Sequence, residues 1–151
     1  EMRPLANAVE VDLWNLRLQD LASRGMKAIE LARSLGDPQV EAQAAFETAR
    51  AFAATGDLKQ AMTISQDMIS IAEKVRSVPA MLNALWLNGS LNRATGNWEE
   101  ARKFLHRMEA LRPTGPRVLT DLSVLDHLVG DMVQGETHVE RLLENPTSGM
   151  A

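Results

Sequence analysis

Small and large apolar residues recur every three or four positions along most of this chain, the spacing that gathers them on one face of an α-helix. Ala61, Ser65, Met68 and Ile71 form one such stripe, and Ala101, Leu105, Met108 and Leu111 repeat it position for position. Upstream, Ala45, Ala49 and Phe52 correspond to Leu85, Gly89 and Asn92. Helix-breaking clusters separate the stripes: Leu35-Gly36-Asp37-Pro38, Ser77-Val78-Pro79 and Arg112-Pro113-Thr114-Gly115-Pro116. The pattern predicts helices over about 5–23, 25–35, 38–54, 58–75, 79–94, 98–111, 116–129 and 132–144.

Inside this pattern lies a repeated turn. Gly56-Asp57-Leu58-Lys59-Gln60-Ala61, Gly96-Asn97-Trp98-Glu99-Glu100-Ala101 and Gly130-Asp131-Met132-Val133-Gln134-Gly135 share one plan, with glycines 40 and then 34 residues apart. Glycine can take the left-handed backbone that ends a helix. Asp57, Asn97 and Asp131 are placed to cap the next helix by accepting from its free amides. The large residue (Leu58, Trp98 or Met132) is expected to wedge between the two helices, so that Trp98→Ala would cost about 3–5 kcal/mol. The small residue (Ala61, Ala101 or Gly135) lets the helices approach closely. A degenerate copy surrounds Lys27-Ala28-Ile29.

Composition narrows the function. Apolar residues make up 45% of the 151 and charged residues 24%, a globular balance rich in helix-forming Ala, Leu and Met. The net charge is −4 with no basic run, which argues against direct nucleic-acid binding by this segment. No apolar stretch is long enough to span a membrane, and Glu1-Met2-Arg3-Pro4 lacks the core of a signal peptide. The absence of cysteine removes disulfides and fits a reducing cytoplasm. Both ends, including the turn-rich tail 145–151, suggest a segment of something larger.

The glycine turns and their flanks resemble tetratricopeptide repeats. Gly89, Gly96, Trp98, Ala101 and Pro113 stand where that family places its signature residues, and the resemblance spans roughly residues 8–144. It implies an all-α fold of antiparallel helix-hairpin repeats in a right-handed superhelix, with three to four units near 8–37, 38–77, 78–115 and 116–144. The 40-residue unit, the Leu-Gly-Asp-Pro turn and the Ala-rich helices also look like the repeat arrays of large bacterial LuxR-type, ATPase or cyclase-linked regulators.

The resemblance further implies a scaffold that binds a protein or peptide through a concave groove. That groove would be lined by Gln43, Phe46, Arg50 and Ala53, by Asn83, Trp86, Ser90 and Arg93, and by Arg117, Thr120, Val124 and His127. Phe46 and Trp86 with Arg50 and Arg93 would suit a mixed apolar and acidic peptide. Core packing is the other reading for the two aromatics, and pairing with acids for the two arginines. An oligomerisation arm or a small-ligand sensor arm is the alternative function.

No constellation for catalysis stands out. Adjacent Asp126 and His127 point about 100° apart on a helix and form no dyad, although His127, Asp131 and His138 could approach across a hairpin. No phosphate loop occurs, and neither a metal nor a cofactor is expected.

Overall fold

A computed structural model of the chain describes residues 20–144. These residues form α1 (Leu21–Ser34), α2 (Pro38–Ala54), α3 (Leu58–Val75), α4 (Val78–Ala94), α5 (Trp98–Leu111), α6 (Pro116–Leu128) and α7 (Met132–Glu144), with no strand among them. From α2 onward the spans follow the predicted ones to within a residue. The part of the expected first helix before residue 20, and the tail 145–151, lie outside the described residues. The chain divides into two compact units, Glu1–Leu87 and Asn88–Ala151, with the boundary inside α4.

The turns explain why helices follow each other so closely. Gly36, Gly56, Gly96 and Gly130 all sit in the left-handed region, at φ between +65° and +85°. After each, the next amide bonds back to the carbonyl five residues earlier: Asp37 to Ala32, Asp57 to Phe52, Asn97 to Asn92 and Asp131 to Asp126, at 2.9–3.0 Å. This is the Schellman closure of a helix end. The aspartates then cap the following helix by accepting from Val40, Gln60 and Gln134. Asn97 departs from the expectation, because its amide donates to Thr95 Oγ1 at 3.1 Å and makes no cap bond. The α3–α4 link is built differently, with Arg76 as the left-handed residue and Ser77 accepting from Ala80.

Two expectations need correction. The predicted break near residue 24 is absent, and α1 runs through it from Leu21. Gly25 is there for packing rather than turning, since a Cβ at this position would collide with the Thr48 side chain. The wedge is also misassigned: Leu58 is half-buried, and Trp98 and Met132 are 39% and 52% exposed. As first residues of their helices they lie beside the turn, covered on one side only. The small residues behave as expected, Ala61, Ala101 and Gly135 all being buried.

The buried apolar residues of the unit Glu1–Leu87 are mainly alanines, among them Ala28, Ala32, Ala44, Ala45, Ala49 and Ala61, together with Leu21, Ile29, Met68 and Ile71. Arg33 of α1 adds polar ties to Glu41 of α2 and Asp67 of α3. The unit Asn88–Ala151 is cored by larger residues, among them Leu91, Leu105, Met108, Val118, Leu119, Leu122 and Leu125. Leu111, the predicted end of the α5 stripe, is exposed.

Gly25→Ala is expected to destabilise the chain by about 1–3 kcal/mol in urea unfolding, because the added methyl overpacks against Thr48. Adding Thr48→Ala should recover part of that loss.

Candidate functional site

In the unit Glu1–Leu87, α2 and the start of α4 leave a cleft of about 270 Å³ between them. Phe46, Ala42, Met68 and Ala80 give it an apolar floor, while Gln39, Gln43 and Asn83 present side-chain amides along its sides. Three residues expected in the groove, Gln43, Phe46 and Asn83, are therefore brought together. Trp86, one turn beyond Asn83, stacks on Phe46 in a tilted pair with ring centroids 5.9 Å apart. Both rings are half-buried. The two readings of these aromatics thus meet in one arrangement, since Phe46 packs on Trp86 and still lines the cleft.

Arg50 is committed locally. Its guanidinium lies over the Phe46 ring at 5.4 Å and donates to Glu47 at 2.9 Å. In the unit Asn88–Ala151, Arg93 is matched by Asp121 at 3.1 Å. Neither arginine offers an unmatched charge. Ser90 turns its hydroxyl inward, where that oxygen is buried and finds no hydrogen-bond partner. The His127 ring lies against Gly135 of α7, where it leaves no room for a Cβ, and its Nδ1 donates to the Ser123 carbonyl at 2.7 Å. His127 is thereby held within its own hairpin.

The polar centre of this second unit is a different pair from the ones the sequence suggested. Asp126 accepts from His138 Nδ1 at 2.9 Å, and the two side chains are 1% and 3% exposed. Arg102 Nη2 lies 2.8 Å from the other Asp126 oxygen, an ion contact in distance whose angle is poor for a directed hydrogen bond. Such burial puts the imidazole out of reach of a substrate, so the pair acts as an internal strut. The signal was present in the sequence: Asp126 stands four residues before Gly130 and His138 eight after, the offsets held by Phe52 and Ile64 around Gly56. Nearby, Arg141 of α7 donates to Glu109 at 2.7 Å and to the Pro113 carbonyl at 3.0 Å. Burial works to raise the Glu109 carboxyl, but hydrogen bonds from Arg141 and His106 outweigh it and hold the group below the usual glutamate range. Among the described residues no group of three or more His, Asp or Glu side chains could hold a metal ion.

Closely turned helix hairpins with small residues at their contacts define the tetratricopeptide-repeat fold, and comparison with solved structures agrees. A thermophilic TPR protein of Thermus thermophilus superposes over 99% of this chain and 76% of its own length, with a TM-score of 0.70 at 18% identity. MamA superposes over 95% of this chain and 85% of its own, with a TM-score of 0.60 at 13% identity. At these identities the likeness establishes the fold. No protein-family model and no curated protein sequence matches the chain.

Asp126→Leu alone is expected to cost about 3–5 kcal/mol, because it strands His138 and Arg102. The double variant Asp126→Leu/His138→Leu should cost clearly less than the two single losses added, a deviation that a double-mutant cycle by chemical denaturation reads directly. For Glu109, a folded value below the unfolded one means the stabilisation is complete above the ordinary glutamate range and is lost as pH falls through the folded value. The stability gap between the native chain and Glu109→Gln should therefore narrow on acidification through about pH 4 and below.

Proposed function

We propose that this chain is a protein-interaction module that receives an extended peptide segment in the cleft between α2 and α4. The observation that carries the reading is the convergence of Gln43, Phe46 and Asn83 on one cavity, with Gln39 beside them. Each carboxamide both donates and accepts, matching the alternating groups of a peptide main chain. The floor of Phe46, Met68 and Ala80 suits one apolar side chain. The cleft, at about 270 Å³, has room for one side chain with its flanking backbone. Because Arg50, which lies over Phe46, already faces Glu47, an acidic ligand gains little beside that ring. The reading requires no catalytic group, cofactor, metal or nucleic acid.

The 40-residue unit and the Leu-Gly-Asp-Pro turn support a narrower reading, an arm of a cytoplasmic bacterial regulator. The full-length gene product decides it: an adjoining ATPase, cyclase or helix-turn-helix segment supports the idea, and its absence sinks it.

Peptides selected on the chain from a random display library should lose about tenfold or more in affinity (about 1.4 kcal/mol) on Phe46→Ala. Asn83→Ala should weaken them as well. Selected peptides that bind the folded Phe46→Ala and Asn83→Ala variants as tightly as the native chain would show that the cleft is not the site.

A further inference from the structure

Trp98, expected to wedge its turn, stands 39% exposed at the start of α5, and Val129 at the end of α6 is 42% exposed. Within the unit Asn88–Ala151 these two form the apolar part of an open cleft of about 430 Å³, which Glu99, Arg102, Lys103 and His106 complete. Trp98, Arg102 and His106 are spaced i, i+4 and i+8. Each is therefore turned about 40° from the last and set about 6 Å further along the helix. The cleft grades from an aromatic end toward a cationic one.

The cations are not equivalent. Lys103 donates to Glu100 at 2.6 Å, and His106 Nδ1 lies 3.2 Å from Glu109. Glu99 stands one turn before Lys103, where the two charges offset each other. Arg102 differs. Its side chain is 34% exposed and its Nη2 lies 2.8 Å from Asp126 Oδ1, yet that oxygen accepts no hydrogen bond. None of the N–H donors of this guanidinium has a directed acceptor among the described residues. Asp126, 1% exposed, thus holds the guanidinium in place by charge and leaves its hydrogen-bonding capacity unfilled.

We infer that this cleft binds a small aromatic carboxylate, its ring against Trp98 and Val129 and its carboxylate on Arg102. A carboxylate meets a guanidinium through parallel N–H···O bonds, a pairing that depends on the planar fork of arginine. An aromatic ring gains from an offset or edge-on arrangement on the half-exposed indole. The step of about 6 Å from Trp98 to Arg102 suits an acid group one or two bonds from its ring. An acid without a ring would leave Trp98 wet, and a ring without an acid would leave the Arg102 donors unfilled. This cleft shares no residue with the one between α2 and α4, so it stands or falls separately from the peptide site.

Naphthylacetate, the neutral naphthylacetamide and the cationic naphthylethylamine test it, with affinity read from the ligands' own NMR signals. The acid should bind at least roughly tenfold more tightly than either control. It should also shift the Trp98 indole N–H resonance, which Trp98→Phe identifies. Trp98→Ala should weaken the acid and the amide alike. Arg102→Gln combined with Asp126→Asn removes the buried charge pair as a unit, and this variant should bind the acid and the amide equally. Circular dichroism reads whether it folds. Arg102→Lys keeps the charge beside Asp126 but loses the fork, so it should weaken the acid and leave the amide unchanged. Phe46→Ala should alter neither. Equal binding of the three compounds by the native chain overturns the proposal without any variant. So does an acid preference that survives both Arg102 variants, or a shift confined to the Trp86 resonance. Tighter binding of the peptide acetyl-Gly-Gly-Trp than of naphthylacetate also overturns it, since a polypeptide terminus would then be the occupant.

Discussion

A single backbone hydrogen bond, from the amide after a left-handed residue to the carbonyl five positions earlier, recurs at Gly36, Gly56, Gly96 and Gly130. It closes one helix while the next residue opens another, so the chain reverses without a loop. An ordinary side chain in that conformation costs roughly 1–2 kcal/mol, which is why four of the five left-handed residues among the described ones are glycine and only Arg76 is not. Reversal this tight dictates what can follow. Five residues past the glycine stand Ala61, Ala101 and Gly135, all buried, and at Gly135 the His127 ring leaves no room even for a Cβ.

Within that shared frame the hairpins solve their interiors differently. Around Gly56 the positions four before and eight after hold Phe52 and Ile64, and around Gly130 they hold Asp126 and His138. An apolar pair gains from leaving water and needs no partner. A buried carboxylate does, since unpaired burial costs several kcal/mol. Arg102 from α5 and His138 from α7 together supply it. The last hairpin is thereby tied to the helix before it through chemistry, where the first relies on alanine-lined close packing.

That contrast marks how far the sequence can be read. Period and turn chemistry are local properties, so the helices from α2 to α7, the glycine conformations and the small contact residues are all legible. The expected break near residue 24 fails because the chain stays helical there, and Gly25 spares a methyl against the facing Thr48. Trp98 misleads because a large side chain at a helix start need not be a buried one. For the candidate site, the groove positions implied by the family resemblance include Gln43, Phe46 and Asn83, and these three line one cleft. Positions alone cannot show that Arg93 meets Asp121, 28 residues away in sequence, or that His127 folds over Gly135, because those depend on rotamers and on the packing of neighbouring helices.

The cleft itself follows from unequal repeat lengths. Helix α3 has 18 residues against 14 in α5, about one extra turn, or roughly 6 Å of rise. The surplus ends in left-handed Arg76, and α4 then starts with Pro79 in its first turn, where no amide is needed. Facing that start is α2, whose buried residues are largely alanines. Short side chains on one wall and the start of α4 on the other leave a volume that Phe46 and Met68 line with their larger side chains. Alanine is what lets the hairpin close, and the same alanines leave too little bulk to seal the gap that the longer helix opens. A cavity in this position is therefore a consequence of the packing rule that builds the fold, and the amides of Gln39, Gln43 and Asn83 give its lining a polar share.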